Sequence, residues 1–195
     1  MVSLSRHRSA TYADLEALPE DQKAELLDGE LFLMTAPRAR HIQITSVLGA
    51  LLGSRFGLFD GPSDDGPGGW WILHEPEVHL VLDRQVVRPD LAGWRRERLP
   101  RLDADSHKLT LVPDWICEVV SPRTLTYDLL RKMPRYLAAG VRWAWIVDPE
   151  IKRVEVYRAV DGEPREWLDV VSFAGQAVAE IPPFDGASLD LGPCW

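Results

Sequence analysis

Two apolar segments joined by an amphipathic one constrain the fold of this chain most strongly. The sequences PDWICEVV, residues 113–120, and VRWAWIVDP, residues 141–149, both have the composition of buried strands. Between them, TLTYDLLRKMPRYLAAG predicts a helix that ends at Gly140, a residue typical of helix C-termini. Because a helix joins the two strands, they can run parallel within one sheet. This order of elements predicts an α/β fold with a mixed sheet flanked by helices.

The N-terminal part of the chain predicts a short helix, a hairpin and a longer helix. Thr11 and Asp14 have the spacing of a capping box, which marks a helix start. Asp28-Gly29, between two short apolar runs, is typical of a tight hairpin turn. Apolar residues within 44–52 recur at the spacing of one helical face. Residues 59–69 are rich in Gly, Pro and Asp and predict a loop.

Further strands are predicted on both sides of the central unit. GWWILHEPEVHLVL and VVRPDLAGW predict two neighbouring strands joined near Asp83-Arg84, and KRVEVYRA predicts another after the turn at Asp148-Pro149. The tail predicts more strand and turn. The length of 195 residues suits one domain. We divide it into an N-terminal helix and hairpin at 11–36, a core at 37–160 and C-terminal strands at 161–195.

The composition limits the cellular environments and the binding partners that we expect for this protein. No apolar run approaches the length of a membrane span. Two cysteines, Cys117 and Cys194, indicate neither a disulfide framework nor a zinc site, and favour a reducing cytoplasm. The net charge of −8 lacks the basic field typical of proteins that bind phosphates. Local basic groups occur at 83–101 and at Arg123, Arg131, Lys132 and Arg135; each is either a phosphate-binding patch or an ordinary solvated face.

Glu118 lies in the middle of the apolar strand, where a carboxylate is costly unless something pairs with it. Side chains alternate along a strand, so Trp115, Cys117 and Val119 share one face, and Ile116, Glu118 and Val120 share the other. Both faces are otherwise apolar, and we therefore expect Glu118 to be shielded from water. A structural ion pair with an arginine and a functional role both remain open at this stage.

Asp90 and Glu77 are the other candidate acids. If the loop between their strands is the pair Asp83-Arg84, then Glu77 lies opposite Asp90 at about 5 Å between Cβ atoms. Two facing carboxylates are tolerable mainly with a cation between them. A loop one residue longer would send them to opposite faces. Acids on adjacent strands suit Mg²⁺, which takes oxygen ligands and lowers the pKa of a bound water.

These motifs, taken in order, resemble the PD-(D/E)xK nuclease superfamily, and within it the bacterial Uma family of restriction endonucleases. AELLDGELFLMTAPRARHIQI is similar to that family's opening hairpin and histidine-bearing helix, and VVRPDLAGW contains its Pro-Asp. PDWICEVVSPRT carries its Glu-x-x-Ser-Pro motif, and YDLLRKMPRYLAAGVRWAWIVDP its following helix and strand. The resemblance covers most of the chain and implies a restriction-endonuclease-like sheet with the site at one edge.

The resemblance implies that Asp90 and Glu118 are metal-binding acids. The superfamily's lysine would stand at Val120; in this branch it is on the following helix, where Lys132 has the matching place. Asp128, Lys132 and Tyr136 are four residues apart and share a helix face. Pro134 departs from the family pattern, because a proline inside a helix removes a hydrogen bond and bends it.

Four other residues can be explained by a structural role as well as by a functional one. His41 and Glu30 stand at family positions, but a lone helix histidine is more often structural, and an exposed hairpin carboxylate explains Glu30 equally well. Trp143 and Trp145 alternate along a strand and are most simply core or dimer-interface aromatics.

The leading hypothesis is a Mg²⁺-dependent (or Mn²⁺-dependent) endodeoxyribonuclease. Asp90 and Glu118 would hold the metal, Lys132 would stabilise charge and Glu77 would be a third acid. DNA would be the substrate, and a homodimer would match the two-fold symmetry of the duplex. The alternative is a nuclease fold that no longer cleaves and acts as an interaction or regulatory module, which Val120, Pro134 and the acidic charge favour.

Overall fold

The computed structural model describes residues 8–58, 60–62 and 66–195. Part of the loop predicted at 59–69 therefore lies outside the described residues. The helices are α1 (Tyr12–Glu16), α2 (Ala39–Leu52), α3 (Leu125–Tyr127) and α4 (Met133–Ala139). Five-residue π-helical turns, Gly53–Gly57 and Asp128–Lys132, follow α2 and join α3 to α4, and a 3₁₀ turn spans Gly192–Cys194.

The strands form two mixed sheets and a two-stranded ribbon. In chain order they are β1 (Ala24–Leu27), β2 (Glu30–Leu33), β3 (Trp70–His74), β4 (Glu77–Val81), β5 (Gln85–Val87), β6 (Leu91–Arg95), β7 (Lys108–Leu109), β8 (Trp115–Val119), β9 (Trp143–Asp148), β10 (Arg153–Val160), β11 (Glu166–Ala174), β12 (Val178–Ile181) and β13 (Phe184–Asp190). The small sheet has the order β2-β1-β5-β4-β7, the large sheet β11-β10-β9-β8-β6-β3, and β12 pairs with β13. The predicted mixed α/β architecture is confirmed.

The central strand–helix–strand unit has the predicted form. Strands β8 and β9 are parallel, and Trp115 pairs with Trp143. Helix α4 ends at Gly140, whose φ of +101° is a left-handed conformation that suits glycine best. The N-terminal predictions are also confirmed: Thr11 and Asp14 form a capping box, and Asp28 and Gly29 make the turn between β1 and β2 with φ values of +53° and +77°.

The predicted strand pair after the loop is joined where expected, since β4 and β5 pair antiparallel across residues 82–84, but each predicted strand is divided in two. GWWILHEPEVHLVL forms two strands in different sheets, β3 in the large sheet and β4 in the small one. The chain turns between them at Glu75, with φ +42°, and at Pro76, which cannot donate a ladder hydrogen bond. VVRPDLAGW likewise divides into β5 and β6 at residues 88–90. Both segments therefore cross from one sheet to the other.

The predicted register of Glu77 opposite Asp90 is wrong. Val81 pairs with Gln85 across a three-residue turn, and a bulge after His79 shifts the pairing again, so that Val78 pairs with Val87. Glu77 therefore lies beside Arg88, two residues before Asp90. The turn length and the bulge together account for the difference.

Two hydrophobic clusters lie on opposite faces of β8. Trp115, Cys117 and Val119 pack with α2, with Trp145 and with the β12–β13 ribbon. Ile116 and Val120 pack in a second cluster that joins both sheets and α4. Glu118 shares this second face, as strand alternation predicts. On the neighbouring strand β9, Trp145 is a core residue with 0% exposure.

The remaining predictions from composition concern cysteines and membranes. Cys117 and Cys194 are both buried free thiols, which agrees with the absence of a disulfide framework. Within the described ranges, no helix has the length and apolar character needed to cross a bilayer.

Candidate active site

Glu118 is the centre of a buried polar cluster between the two sheets. Its residue is 3% exposed. The Tyr136 hydroxyl donates a hydrogen bond of 2.5 Å to Glu118 Oε1, and Lys132 Nζ lies 2.7 Å from the same oxygen. Strand β8 and the π-helical turn that precedes α4 thus bring together the glutamate and the lysine that the sequence singled out.

Lys132 connects Glu118 to an acid that sequence analysis missed. Its Nζ lies 3.0 Å from Glu25 Oε1, and it also donates to the carbonyl of Arg88 at 3.4 Å. Glu25 belongs to β1 of the small sheet, and its Oε2 accepts a hydrogen bond of 2.7 Å from Tyr127. Lys132 therefore links a carboxylate of each sheet.

The π-helical turn Asp128–Lys132 explains how Lys132 reaches this position despite Pro134. Pro134 stands in the first turn of α4, directly after the widened turn, where its missing N–H is tolerated. Asp128, Lys132 and Tyr136 are all buried, so the predicted shared face is confirmed. The proline accompanies a change of helix type and does not remove Lys132 from the cluster.

Asp90 approaches the same point from the crossover between β5 and β6. Its Oδ2 accepts a hydrogen bond of 2.6 Å from the amide of Val119, the residue after Glu118. Its Oδ1 lies 2.9 Å from His41 Nε2. The Asp90 side chain is 13% exposed and that of His41 is 22% exposed, so solvent reaches the cluster on the side of these two residues.

The charges of this cluster are out of balance. Glu118 interacts electrostatically with Lys132 and with three other carboxylates, those of Asp128, Asp90 and Glu25. Four acids thus surround one lysine. Burial, reinforced by the neighbouring carboxylates, raises the pKa of Glu118 well above its usual value, although Lys132 opposes the shift. Burial likewise raises the pKa of Asp128 to about 6. The arrangement favours anything that brings positive charge: protons or a cation.

The neighbouring carboxylates favour the charged forms of the two basic side chains of the cluster. Burial alone would lower the pKa of Lys132, but the carboxylates of Glu118 and Glu25 raise it well above its usual value. Burial would also lower the pKa of His41, but the hydrogen bond and charge of Asp90 raise it. Lys132 is therefore an ammonium ion that stabilises negative charge and is unsuited to accept a proton.

The donor set fits a magnesium ion and does not form a complete protein cage. Across 8–58, 60–62 and 66–195, no three His, Cys, Asp or Glu residues are grouped as ligands of one metal. Mg²⁺ commonly uses one or two carboxylates and takes its other ligands from water and substrate phosphate. Asp90 and Glu118 supply two carboxylates, of which Asp90 reaches solvent.

Glu77 lies in a separate network. Its carboxylate accepts hydrogen bonds from Tyr12 at 2.6 Å and from Arg88 at 2.6 Å, and it lies 3.1 Å from His79 Nε2. Burial would raise the pKa of Glu77, but these donors lower it to about 2. Glu30, the other acid weighed from the sequence, is exposed and lies 3.8 Å from Arg131.

Most basic side chains in the two predicted basic groups form ion pairs. Within 83–101, Arg88 pairs with Glu77 and Arg98 with Asp114. Arg96 pairs with Asp60 and stacks over Trp71. In the second group, Arg131 pairs with Glu30 and Arg135 with Asp28. Arg123, which follows β8, is exposed.

Comparisons with known proteins bear on the fold and the family. A family model described as "Uma2: Putative restriction endonuclease" matches residues 10–192. A crystal structure described as a putative nuclease belonging to DUF820 from Anabaena variabilis has a TM-score of 0.70 and 20% sequence identity, and covers 94% of this chain and 96% of that chain. No curated protein matches the sequence.

The structural likeness confirms the restriction-endonuclease-like fold that the sequence motifs predicted. The family model spans nearly the whole chain, from before α1 to the final 3₁₀ turn. The protein therefore belongs to the Uma2 family of putative restriction endonucleases.

Proposed function

We propose that the protein is a divalent-metal-dependent endonuclease that hydrolyses phosphodiester bonds of DNA. The observation that carries this proposal is the convergence of Asp90, Glu118 and Lys132 in one acid-rich cluster. The ammonium of Lys132 lies 2.7 Å from Glu118, and the carboxylate of Asp90 bonds to the amide that follows Glu118. Membership of a nuclease family supports nucleic acid as the substrate class.

Each side chain has a role that follows from its surroundings. Asp90 and Glu118 would hold Mg²⁺ or Mn²⁺, and the bound metal would polarise a phosphate oxygen and make a water acidic enough to attack. Lys132 remains protonated and stabilises the negative charge that grows on the phosphate. His41 orients Asp90 through the 2.9 Å contact. In the reaction, a bond would form between the water oxygen and phosphorus as the bond to the leaving deoxyribose oxygen breaks. The proton lost by the attacking water would pass to bulk water, which would also protonate the leaving oxygen.

We also propose a homodimer as the form that cuts duplex DNA. One acid cluster cleaves one strand, and a two-fold pair of chains would place a second cluster against the other strand. Contacts to phosphates would come from exposed arginines such as Arg123, which follows β8 along the chain. A reducing cytoplasm suits the free thiols of Cys117 and Cys194.

One observation favours a second candidate, a non-cleaving interaction or regulatory module. Glu118 and Lys132 are each 3% exposed and pair with each other. A protein that has lost catalytic activity would also keep such a buried ion pair, because the pair stabilises the fold. The two candidates differ in one property: only the enzyme needs Glu118 to exchange its partner for a metal ion.

Incubation of the full chain with supercoiled plasmid separates the candidates. We expect nicking with Mg²⁺ or Mn²⁺, no nicking with chelator, and loss of nicking to background in Glu118→Gln. Glu155→Gln, which alters a carboxylate on β10 outside the cluster, serves as the control and should cleave like the wild type. Equal nicking by Glu118→Gln would indicate a contaminating nuclease and overturn the assignment. A folded wild type that never nicks would favour the non-cleaving module.

A further inference from the structure

The proposed mechanism does not explain how the crossover segment 88–90 holds Asp90 in place. This segment connects β5 of the small sheet to β6 of the large sheet and ends in Asp90. Its three residues belong to no strand. The carbonyl of Asp90 accepts a hydrogen bond of 3.1 Å from the amide of Glu75, beside the end of the β3–β6 ladder, but this bond does not hold Arg88 at the other end of the segment. A ligand held on such a segment needs other restraints, because a shift of about 1 Å is enough to impair catalysis.

Arg88 supplies those restraints through three separate groups. Its amide donates a hydrogen bond of 2.7 Å to Glu25 Oε1, and its carbonyl accepts one of 3.4 Å from Lys132. Its guanidinium donates one of 2.6 Å to Glu77 Oε2. The backbone of Arg88 thus touches two members of the acid cluster, while its side chain reaches away to Glu77.

Glu77 is built to hold that guanidinium. It is 5% exposed on β4, and the hydroxyl of Tyr12 donates to its Oε1 at 2.6 Å. His79 Nδ1 accepts the amide of Asp83, so the neutral ring carries its proton on Nε2, which lies 3.1 Å from the same oxygen. Oε1 therefore receives two donors, and Oε2 is left for Arg88. An ionised carboxylate accepts from all three, and the cationic guanidinium favours that form.

The guanidinium of Arg88 depends on this one carboxylate. Its Nε is buried and has no hydrogen-bond partner within the part of the chain that the structure describes. Glu77 is the one acid paired with Arg88 there. Loss of the Glu77 charge would therefore release the guanidinium and leave Arg88 held only through its backbone bonds to Glu25 and Lys132.

We propose that Glu77 and Arg88 form a positioning pair that fixes the crossover segment and thereby sets Asp90, Glu25 and Lys132 relative to Glu118. The inference rests on the proposed function, because it assumes that Asp90 is a metal ligand. It assigns Glu77 a role outside the metal's own ligand set. Outer-shell partners of this kind typically alter metal affinity or activity by about 10- to 100-fold.

Two measurements on the full-length protein test the proposal. One is a calorimetric titration with Mn²⁺, and the other is the kinetics of plasmid cleavage. We expect Glu77→Gln to bind Mn²⁺ at least about 10-fold more weakly and to lower kcat by about 10- to 100-fold, with KM for DNA nearly unchanged. Glu77→Asp, which keeps the charge, should recover part of both losses. Glu16→Gln makes the same chemical change on an exposed carboxylate of α1 and should bind Mn²⁺ like the wild type.

Arg88→Met provides a second route, because Glu77 then keeps Tyr12 and His79 as donors. It should reproduce the weaker Mn²⁺ binding, and the double variant should be no worse than either single variant. Mn²⁺ binding within about two-fold of the wild type in folded Glu77→Gln or Arg88→Met would overturn the positioning role.

The two proposals can fail separately. A wild type that binds Mn²⁺ but does not cleave overturns the nuclease function, while the Mn²⁺ affinities still decide the positioning role. A wild type that neither binds Mn²⁺ nor cleaves overturns both.

Discussion

Two buried carboxylates, Glu77 and Glu118, lie in opposite electrostatic environments. Glu77 has three donors around one acid, and its pKa falls to about 2. Burial raises the pKa of Glu118 well above the usual value, and the three other acids that share its one ammonium add to the shift. Both glutamates are at most 5% exposed, but only at Glu77 do the surrounding donors outweigh the effect of burial. We propose that this balance distinguishes a carboxylate that stabilises the fold from one suited to receive a cation.

Sequence reasoning placed both acids in the site, and the structure shows that the register predicted for Glu77 was wrong. The prediction depended on the register of one hairpin, and a longer turn with a bulge moved Glu77 next to Arg88. Strand alternation around Glu118 needed no register and was correct. The alternation of side chains along one strand can be predicted from adjacent residues, whereas the register between two strands also depends on the length of the turn and on bulges.

The largest expected effect concerns Lys132, the single ammonium of the acid-rich cluster. Lys132→Met keeps much of the side-chain volume but removes the charge that stabilises the phosphate in the transition state. We expect kcat for plasmid cleavage to fall by about 10²- to 10³-fold. The comparison would fail if Lys132→Met cleaved at the wild-type rate, since Lys132 would then be only a structural partner of Glu118 and Glu25.

The next effect is the acid sensitivity that Glu77 confers. Its folded-state pKa of about 2 lies below the ordinary 4.5, so its ionised form stabilises the fold above pH 4.5, and this contribution is lost as the pH falls toward 2. The contribution is about 3 kcal/mol. Urea denaturation should show Glu77→Gln less stable than the wild type at pH 7, with the gap closing between pH 4.5 and 2. A gap that does not change with pH would contradict the role of its charge.

Asp128 should behave with the opposite sign, by a slightly smaller amount. Burial raises its pKa to about 6 from the ordinary 3.8, so the stability that it contributes is present below pH 3.8 and is lost as the pH rises through 6. The loss is about 2 to 3 kcal/mol. In metal-free buffer, Asp128→Asn should therefore gain stability relative to the wild type between pH 4 and 7, measured by the same urea titrations. A constant difference would mean that burial does not raise the pKa of Asp128.

Much of the fold was accessible from the sequence because its signals are local. The helix between β8 and β9, the turn at Asp28-Gly29 and the stop at Gly140 each depend on a few adjacent residues. The division of the chain into two sheets was not accessible. It depends on the break at Glu75 and Pro76 and on the crossover at 88–90, and both stretches lie within runs that look like continuous strands.

The candidate site was predictable in part for the same reason. Asp90, Glu118 and Lys132 carry motifs, and the structure brings them together. Glu25 was missed although it carries the same signal as Glu118, a carboxylate between apolar residues of a buried strand, here Ala24 and Leu26. Its proximity to Lys132 arises from the packing of two sheets, which no spacing along the chain reveals.

We propose that the excess of acid around Glu118 forms a divalent-cation site. Anomalous diffraction from crystals soaked in Mn²⁺ tests it most directly, because the manganese signal locates the ion independently of any assumption about catalysis. We expect one strong peak within coordination distance of the carboxylates of Asp90 and Glu118, and none beside Glu77. A peak at Glu77 instead, or no peak between Asp90 and Glu118 at saturating Mn²⁺, would contradict the claim.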